Sequence, residues 1–195
     1  MALDRSFFEM PTLELCLHLL GKELTHDGVG GYIVEVEAYM GPHDRAAHSY
    51  GGRRTKRTEV MFGPPGKAYV YTIHQQHCLN VVSGKEGHPE AILVRALQPT
   101  KGIEKMMERR GRADNLTNGP GRLCQALGIT KAQYGWDLLE SPLRIGPGIP
   151  VKRVAVGPRI GIENTGEARH YPWRFWIDGN EHVSRTRKAQ KIIEL

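Results

Sequence analysis

The chain has 195 residues, 39% of them hydrophobic and 25% charged, with a formal net charge of +6. That length suits one domain over residues 1–195, since domains run to ~100–200 residues, and no apolar run approaches the ~20 residues of a membrane helix. The start "MALDRSFFEM" lacks a charged-then-apolar signal pattern and Cys16, Cys78 and Cys124 lie far apart, so the expectation is a soluble, unsecreted protein with buried thiols and no disulfide framework.

In chain order, "TLELCLHLLG" is apolar at helical spacing and stops at Gly21. "KELT" and "GYIVEVEAY" read as strands around the turn-rich "HDGVGG", and "KAYVYTIH", "CLNVV" and "EAILVRALQP" as three more. A helix is predicted from about Thr100 to Arg110, closed by Gly111, with Ile103, Met106 and Met107 inward. In "TNGPGRLCQALG", Asn118 is placed to cap a second helix, Pro120 to occupy its first turn and Gly128 to end it. Its open N-terminal amides suit an anion such as a DNA phosphate, although most helix ends are simply capped. "PLRIG", "VKRVAV", "PRIGI" and "WRFWIDG" predict a strand-rich remainder with Gly and Pro turns. The expected fold class is α+β, one domain with a curved, mostly antiparallel sheet surrounded by helices.

Positive charge clusters in "GGRRTKRT" (Arg53, Arg54, Lys56, Arg57) and in a C-terminal tail "SRTRKAQK" (Arg185, Arg187, Lys188, Lys191). Each run is either a solvated face or a phosphate-binding one.

Alternation puts Glu35, Glu37 and Tyr39 on one face of "YIVEVEAY" and Tyr32, Val34, Val36 and Ala38 on the other. On a solvent-facing side two glutamates would need no explanation. Arg95, however, interrupts the apolar run "AILVRALQP", and a buried guanidinium needs a carboxylate on a neighbouring strand. Tyr69 and Tyr71 share a face of "AYVYTIH", either as core or as aromatic walls whose hydroxyls need partners. A carboxylate, an arginine and tyrosines on adjacent strands would suit a pocket for a planar heterocycle, with stacking for affinity and the carboxylate to activate water. His48 follows directly and leads into the basic loop. His43, His48, His74 and His77 fall in no metal-binding motif, Ser49 and Ser83 in no nucleophile motif, and no dinucleotide or phosphate-loop fingerprint occurs, so neither metal nor cofactor is expected.

"VEVEAYMGPHDRAAHS", "RRTKRTEVMF", "AYVYTIH", "LVRALQP", "NGPGRLCQALGI" and "PRIGIENTGEAR" stand in the order found in the alkyladenine DNA glycosylases, also called methylpurine or 3-methyladenine DNA glycosylases. The chain resembles the bacterial form of that family from the first helix to about Arg185. The resemblance implies a formyltransferase C-terminal-domain-like fold and a cytoplasmic, nucleoid-associated monomer of base excision repair. Its partner would be double-stranded DNA, from which a damaged purine is flipped and its N-glycosidic bond hydrolysed. Carried over residue by residue, Glu37 is the general base, Arg95 helps hold the attacking water and Ile160 lends it a backbone carbonyl. Tyr39, His48 and Tyr71 bind the flipped base, Tyr69 stands behind them, and Asn80 restricts which purines enter. The wedge that fills the gap in the duplex, a tyrosine in mammalian members, falls on His74. Arg53, Arg54, Lys56, Arg57, Gly119, Gly121 and Arg122 would meet the DNA backbone. No lysine in the shared motifs is placed as a Schiff-base nucleophile, which implies a monofunctional enzyme without lyase activity. Two rival readings use the same features: a damage-binding protein that cuts no bond, and a relative acting on nucleosides or RNA.

Overall fold

The computed structural model describes residues 3–185 and 188–195. Short helix α1 (Arg5–Phe8) buries Phe7 and Phe8, and α2 (Thr12–Leu19) buries Leu15, Cys16 and Leu19. Strands β1 (Glu23–His26) and β2 (Val29–Tyr39) form the first hairpin. Next come β3 (Ala68–Ile73), β4 (Gln76–Ser83) and β5 (Glu90–Lys101), then α3 (Ile103–Arg110) and α4 (Pro120–Leu127). The chain closes with β6 (Arg144–Gly146), β7 (Arg153–Gly157), β8 (Arg174–Ile177) and β9 (Lys191–Glu194). These nine described strands make one sheet, ordered β3-β4-β5-β2-β8-β7-β9, with β1 pairing β2 and β6 pairing β1 off that path, and each pairing recorded is antiparallel. The fold is α+β with an open sheet. No helix among the described residues is long and apolar enough to cross a membrane.

One face of the sheet packs Val36, Ala38, Val70, Leu79, Val81, Ile92 and Val94 against α2, α3 and α4 in the main core. Period-two spacing of apolar residues on each strand produces this layer. Alternation fails at one place on β2. The pairing with β5 slips between Ile33, Glu35 and Val36, so Ile33 joins Val36 and Ala38 in the main core. Val34 instead packs with Ala96, Ala155, Trp176 and Val183. A bulge inserts a residue and shifts the parity of everything before it, so the face expected to carry Val34 beside Val36 does not.

Four other expectations change. Helix α3 begins at Ile103 because β5 runs on to Lys101 and Gly102 (φ 65°) turns the chain; Ile103 then points outward, while Met106 is fully buried. The cap of α4 is Gly119, without a side-chain cap bond. Asn118 is occupied elsewhere, accepting from Arg122 Nη1 at 2.9 Å and donating to Asn115 Oδ1 at 2.6 Å. "PRIGI" is a loop, because Ile160 gives its amide to a side chain rather than to a strand. The tail beyond Arg185 contains β9, which pairs Ile192 with Ala155 and Ile193 with Val154, so Lys191 belongs to an edge strand. Arg187 lies outside the described residues.

Helix α4 ends where expected, with Gly128 at φ 68° in a left-handed cap. Gly121 in its first turn packs closely on β4: a Cβ there would lie 2.0 Å from Gln76 Oε1, so the helix N-terminus abuts the β3–β4 hairpin.

Candidate active site

The sheet face away from the helices carries a line of paired residues that crosses five strands. Tyr69 on β3 faces Asn80 on β4, Asn80 faces Leu93 on β5, Leu93 faces Glu37 on β2, and Glu37 faces Arg174 on β8. Directly opposed residues project to the same side, so antiparallel register alone assembles these groups.

Glu37 is completely buried. Its Oε1 accepts the Ile160 amide at 2.8 Å, while its Oε2 accepts the Tyr39 hydroxyl at 3.0 Å and lies 3.4 Å from Arg95 Nη1. Burial first, and then the Glu37 charge, push the Tyr39 phenol well above its ordinary value, so it stays a donor. Glu35, also completely buried, is a separate hub. It accepts from Arg95 Nε at 2.9 Å, Arg174 Nε at 2.7 Å, the Ser184 amide at 2.6 Å and the Ser184 hydroxyl at 2.9 Å. Burial alone would raise the Glu35 carboxyl, but Arg95 and Arg174 together hold it below its ordinary value. Arg95 bridges the two glutamates, and its charged form is reinforced despite burial by both of them. A two-carboxylate, two-arginine cluster is thus closed within the sheet, as buried charges require.

Two cavities adjoin the partners of Glu37, the first lined by Tyr39 and the second by Arg95 and Ile160. The first, a narrow one, is lined by Tyr39, His48, Met61, Tyr69, Tyr71 and Asn80 among others. His48 Nδ1 and the Tyr69 hydroxyl lie 2.8 Å apart, and Asn80 donates its Nδ2 to the Tyr69 carbonyl at 3.1 Å. Burial, followed by Arg57 and Arg53, lowers the His48 imidazole to about 4. It is therefore uncharged at neutral pH. The His48 and Tyr71 rings meet edge to face with centroids 4.6 Å apart.

The second cavity is an open groove of about 960 Å³, whose lining includes Gln76, Cys78, Arg95, Gly119, Gly121, Arg122 and Ile160. His74 stands exposed at the tip of the β3–β4 hairpin. Both residues of that two-residue loop, His74 (φ 46°) and Gln75 (φ 63°), are left-handed, a conformation that hairpin turns normally give to Asn or Gly. Arg53, Lys56 and Arg57 are exposed in the loop before Met61, whereas Arg54 is engaged by Glu59 and lies over the Phe62 ring. Tyr134 pins this loop, its hydroxyl accepting the Val60 amide at 3.0 Å and donating to the Arg57 carbonyl at 3.1 Å.

The structure therefore brings Glu37, Arg95, Ile160, Tyr39, His48, Tyr69, Tyr71 and Asn80 together, with Gly119, Gly121 and Arg122 along the groove and His74 on the exposed hairpin tip next to the groove-lining Ile73. Sequence reasoning missed Arg174, Ser184, Tyr134 and the buried Asp44–Arg159 pair. Arg174 was open to the argument applied to Arg95, since it opens the apolar run "RFWI". The others carry no local signal.

The family model for Methylpurine-DNA glycosylase (MPG) matches residues 6–181. A protein of Oceanobacillus iheyensis is 53% identical over 189 residues, covering 94% of this chain and 96% of its own. Others from Bacillus licheniformis and Bacillus subtilis strain 168 are 52% and 51% identical, covering 94% and 92% of this chain and 96% and 95% of their own lengths. All three carry the provisional name 3-methyladenine DNA glycosylase. A hydrolytic enzyme is thereby favoured over a protein that only binds damage, and the chain belongs to the methylpurine-DNA glycosylase family, hydrolases of N-glycosyl bonds in DNA.

Proposed function

We propose that the chain flips an alkylated or deaminated purine from duplex DNA into the Tyr39–His48–Tyr71 pocket and hydrolyses its N-glycosidic bond with water activated by Glu37. The observation that carries this reading is the place of Glu37, buried with partners that line the aromatic pocket and the groove and held by three donors. A carboxylate has about four lone-pair sites, so room remains for one further donor, the attacking water. Arg95 fixes that water, and the Ile160 carbonyl is its second proposed acceptor while the Ile160 amide orients the base.

One carboxylate suffices for such a reaction. Glycosidases acting on sugars usually need a second to protonate the leaving oxygen, whereas a purine alkylated at N3 or N7 is cationic and leaves readily. Neutral bases such as hypoxanthine and ethenoadenine would be slower substrates than 3-methyladenine or 7-methylguanine. Asn80, its amide tied to backbone, is the proposed gate on purine shape. None of the residues lining the two cavities is a lysine, which supports water rather than a Schiff-base amine as nucleophile, and hence no lyase step. Phosphates would be held by Arg53, Arg54, Lys56 and Arg57, with Arg122 and the uncapped amides near Gly119 and Gly121 on the groove side. His74 would wedge into the stack. The enzyme would act as a monomer on cytoplasmic DNA.

The test is base release from a panel of lesion-containing duplexes, with free nucleosides and single strands as competitors. Glu37→Gln should fold normally and lose about 10²- to 10⁴-fold in single-turnover rate, the usual worth of a general base. Release undiminished by that substitution would refute the assignment of Glu37, and tight binding without any release would refute hydrolysis.

A further inference from the structure

Arg159 and Asp44 are both fully buried and joined through two bonds, Nη1 to Oδ2 at 2.6 Å and Nη2 to Oδ1 at 2.8 Å. Arg159 also donates to the Ala38 and Ala168 carbonyls at 2.8 and 3.3 Å. Its guanidinium carbon lies 4.7 Å from the centre of the Tyr39 ring and 5.0 Å from that of Trp173. Tyr39 lines the base pocket and Arg159 does not, so the cation sits against the ring face turned away from the pocket. The phenol is thus a plate with a buried positive charge on one side and the place for the base on the other.

That arrangement matters because the substrates of the proposed reaction differ in charge. A base stacked on Tyr39 lies ~3.5 Å above it, which leaves it about 8 Å from the guanidinium with no water between. An uncompensated cation there would repel a cationic purine and leave a neutral one almost unaffected. We propose that the Asp44–Arg159 pair sets the charge selectivity of the pocket: Arg159 supports the Tyr39 ring from behind, and Asp44 cancels its charge so that cationic alkylpurines can stack. Asp44 also accepts the Met40 and Ala46 amides, both at 3.0 Å, which fixes its carboxylate beneath the segment leading to His48. Both residues are specificity-determining groups that touch neither water nor base.

This inference rests on the glycosylase reading, and one experiment separates the two. Single-turnover release is measured at one pH from duplexes carrying 7-methylguanine, which is cationic, and hypoxanthine, which is neutral, and the ratio of the two rates is followed. Asp44→Asn should lower that ratio roughly 10-fold, the scale expected for unit charges at this separation in a partly shielded site. Arg159→Gln should raise it, because Asp44 then stands alone, and Asp44→Asn with Arg159→Gln should bring it back to within about threefold of the parent. A purely structural role for the pair gives no such opposite signs. Removal of one partner of a buried pair can unfold a protein, so Arg159→Lys serves as a companion: lysine and glutamine both lose the bidentate fork, and only glutamine loses the charge. A ratio that moves with glutamine and stays near the parent with lysine supports the proposal. Equal shifts in both, or a ratio unmoved in every folded variant, overturn it while leaving the glycosylase reading intact. A parent protein inactive on both duplexes overturns both.

Discussion

The buried charges of the sheet and the exposed charges of the loop at 53–57 obey opposite rules. Around β2, Glu35 and Glu37 are balanced by Arg95 and Arg174, and each charge has a partner across a strand. In the loop, Arg53, Lys56 and Arg57 stand in water, and only Arg54 leans on Glu59. Removing a buried partner strands an ion in low dielectric, whereas removing an exposed one costs the fold almost nothing. The first group therefore bears directly on stability, whereas the second is left open to the phosphates proposed for it.

The largest effect should come from breaking the buried cluster. Glu35→Gln leaves Arg95 and Arg174 without their shared anion, and a loss of about 3–5 kcal/mol is expected, or roughly 10 °C in melting temperature. Calorimetry checks this, and a shift below 2 °C would contradict it. The pH dependence has a definite sign. The Glu35 carboxyl is held below its ordinary value of 4.5, so its stabilisation is complete above that value and lost as pH falls through the folded one. Acid titration of Glu35→Gln should show a shallower fall over that range.

A smaller and different effect is expected from the loop. Replacing Arg53, Lys56 and Arg57 together by glutamine should leave melting within ~0.5 kcal/mol of the parent. If each contacts a phosphate, the slope of log affinity against log salt should become shallower by about 2–3. An unchanged slope would remove the loop from the DNA interface.

The smallest effect sharpens the contrast by joining the two regions. Arg57 and Arg53 contribute, after burial, to the lowered His48 imidazole. Arg53→Gln with Arg57→Gln should raise its NMR titration midpoint from about 4 toward, without reaching, the ordinary 6.5, since burial persists. A midpoint that does not move would show that the loop charges do not reach the pocket.

Much of this was legible from the chain. Local periodicity placed β2, β3, β4 and β5, and the Gly and Pro signals bounded α4. An arginine inside an apolar strand pointed correctly to a buried carboxylate. The bulge at Val34, the outward turn of Ile103 and the strand within the C-terminal tail escaped because each depends on what the neighbouring chain offers.

What the sequence by itself determined is whatever repeats or stops over a few residues: strand faces, helix ends, and the residue types that a base pocket requires. Tertiary structure alone decided which charges meet. Asp44 and Arg159 are separated by 115 positions, and Glu35 and the Ser184 amide by 149. A buried ion must find its partner wherever the chain brings one, and that choice is made by sheet register and by the desolvation of both groups together, neither of which is written in any local pattern.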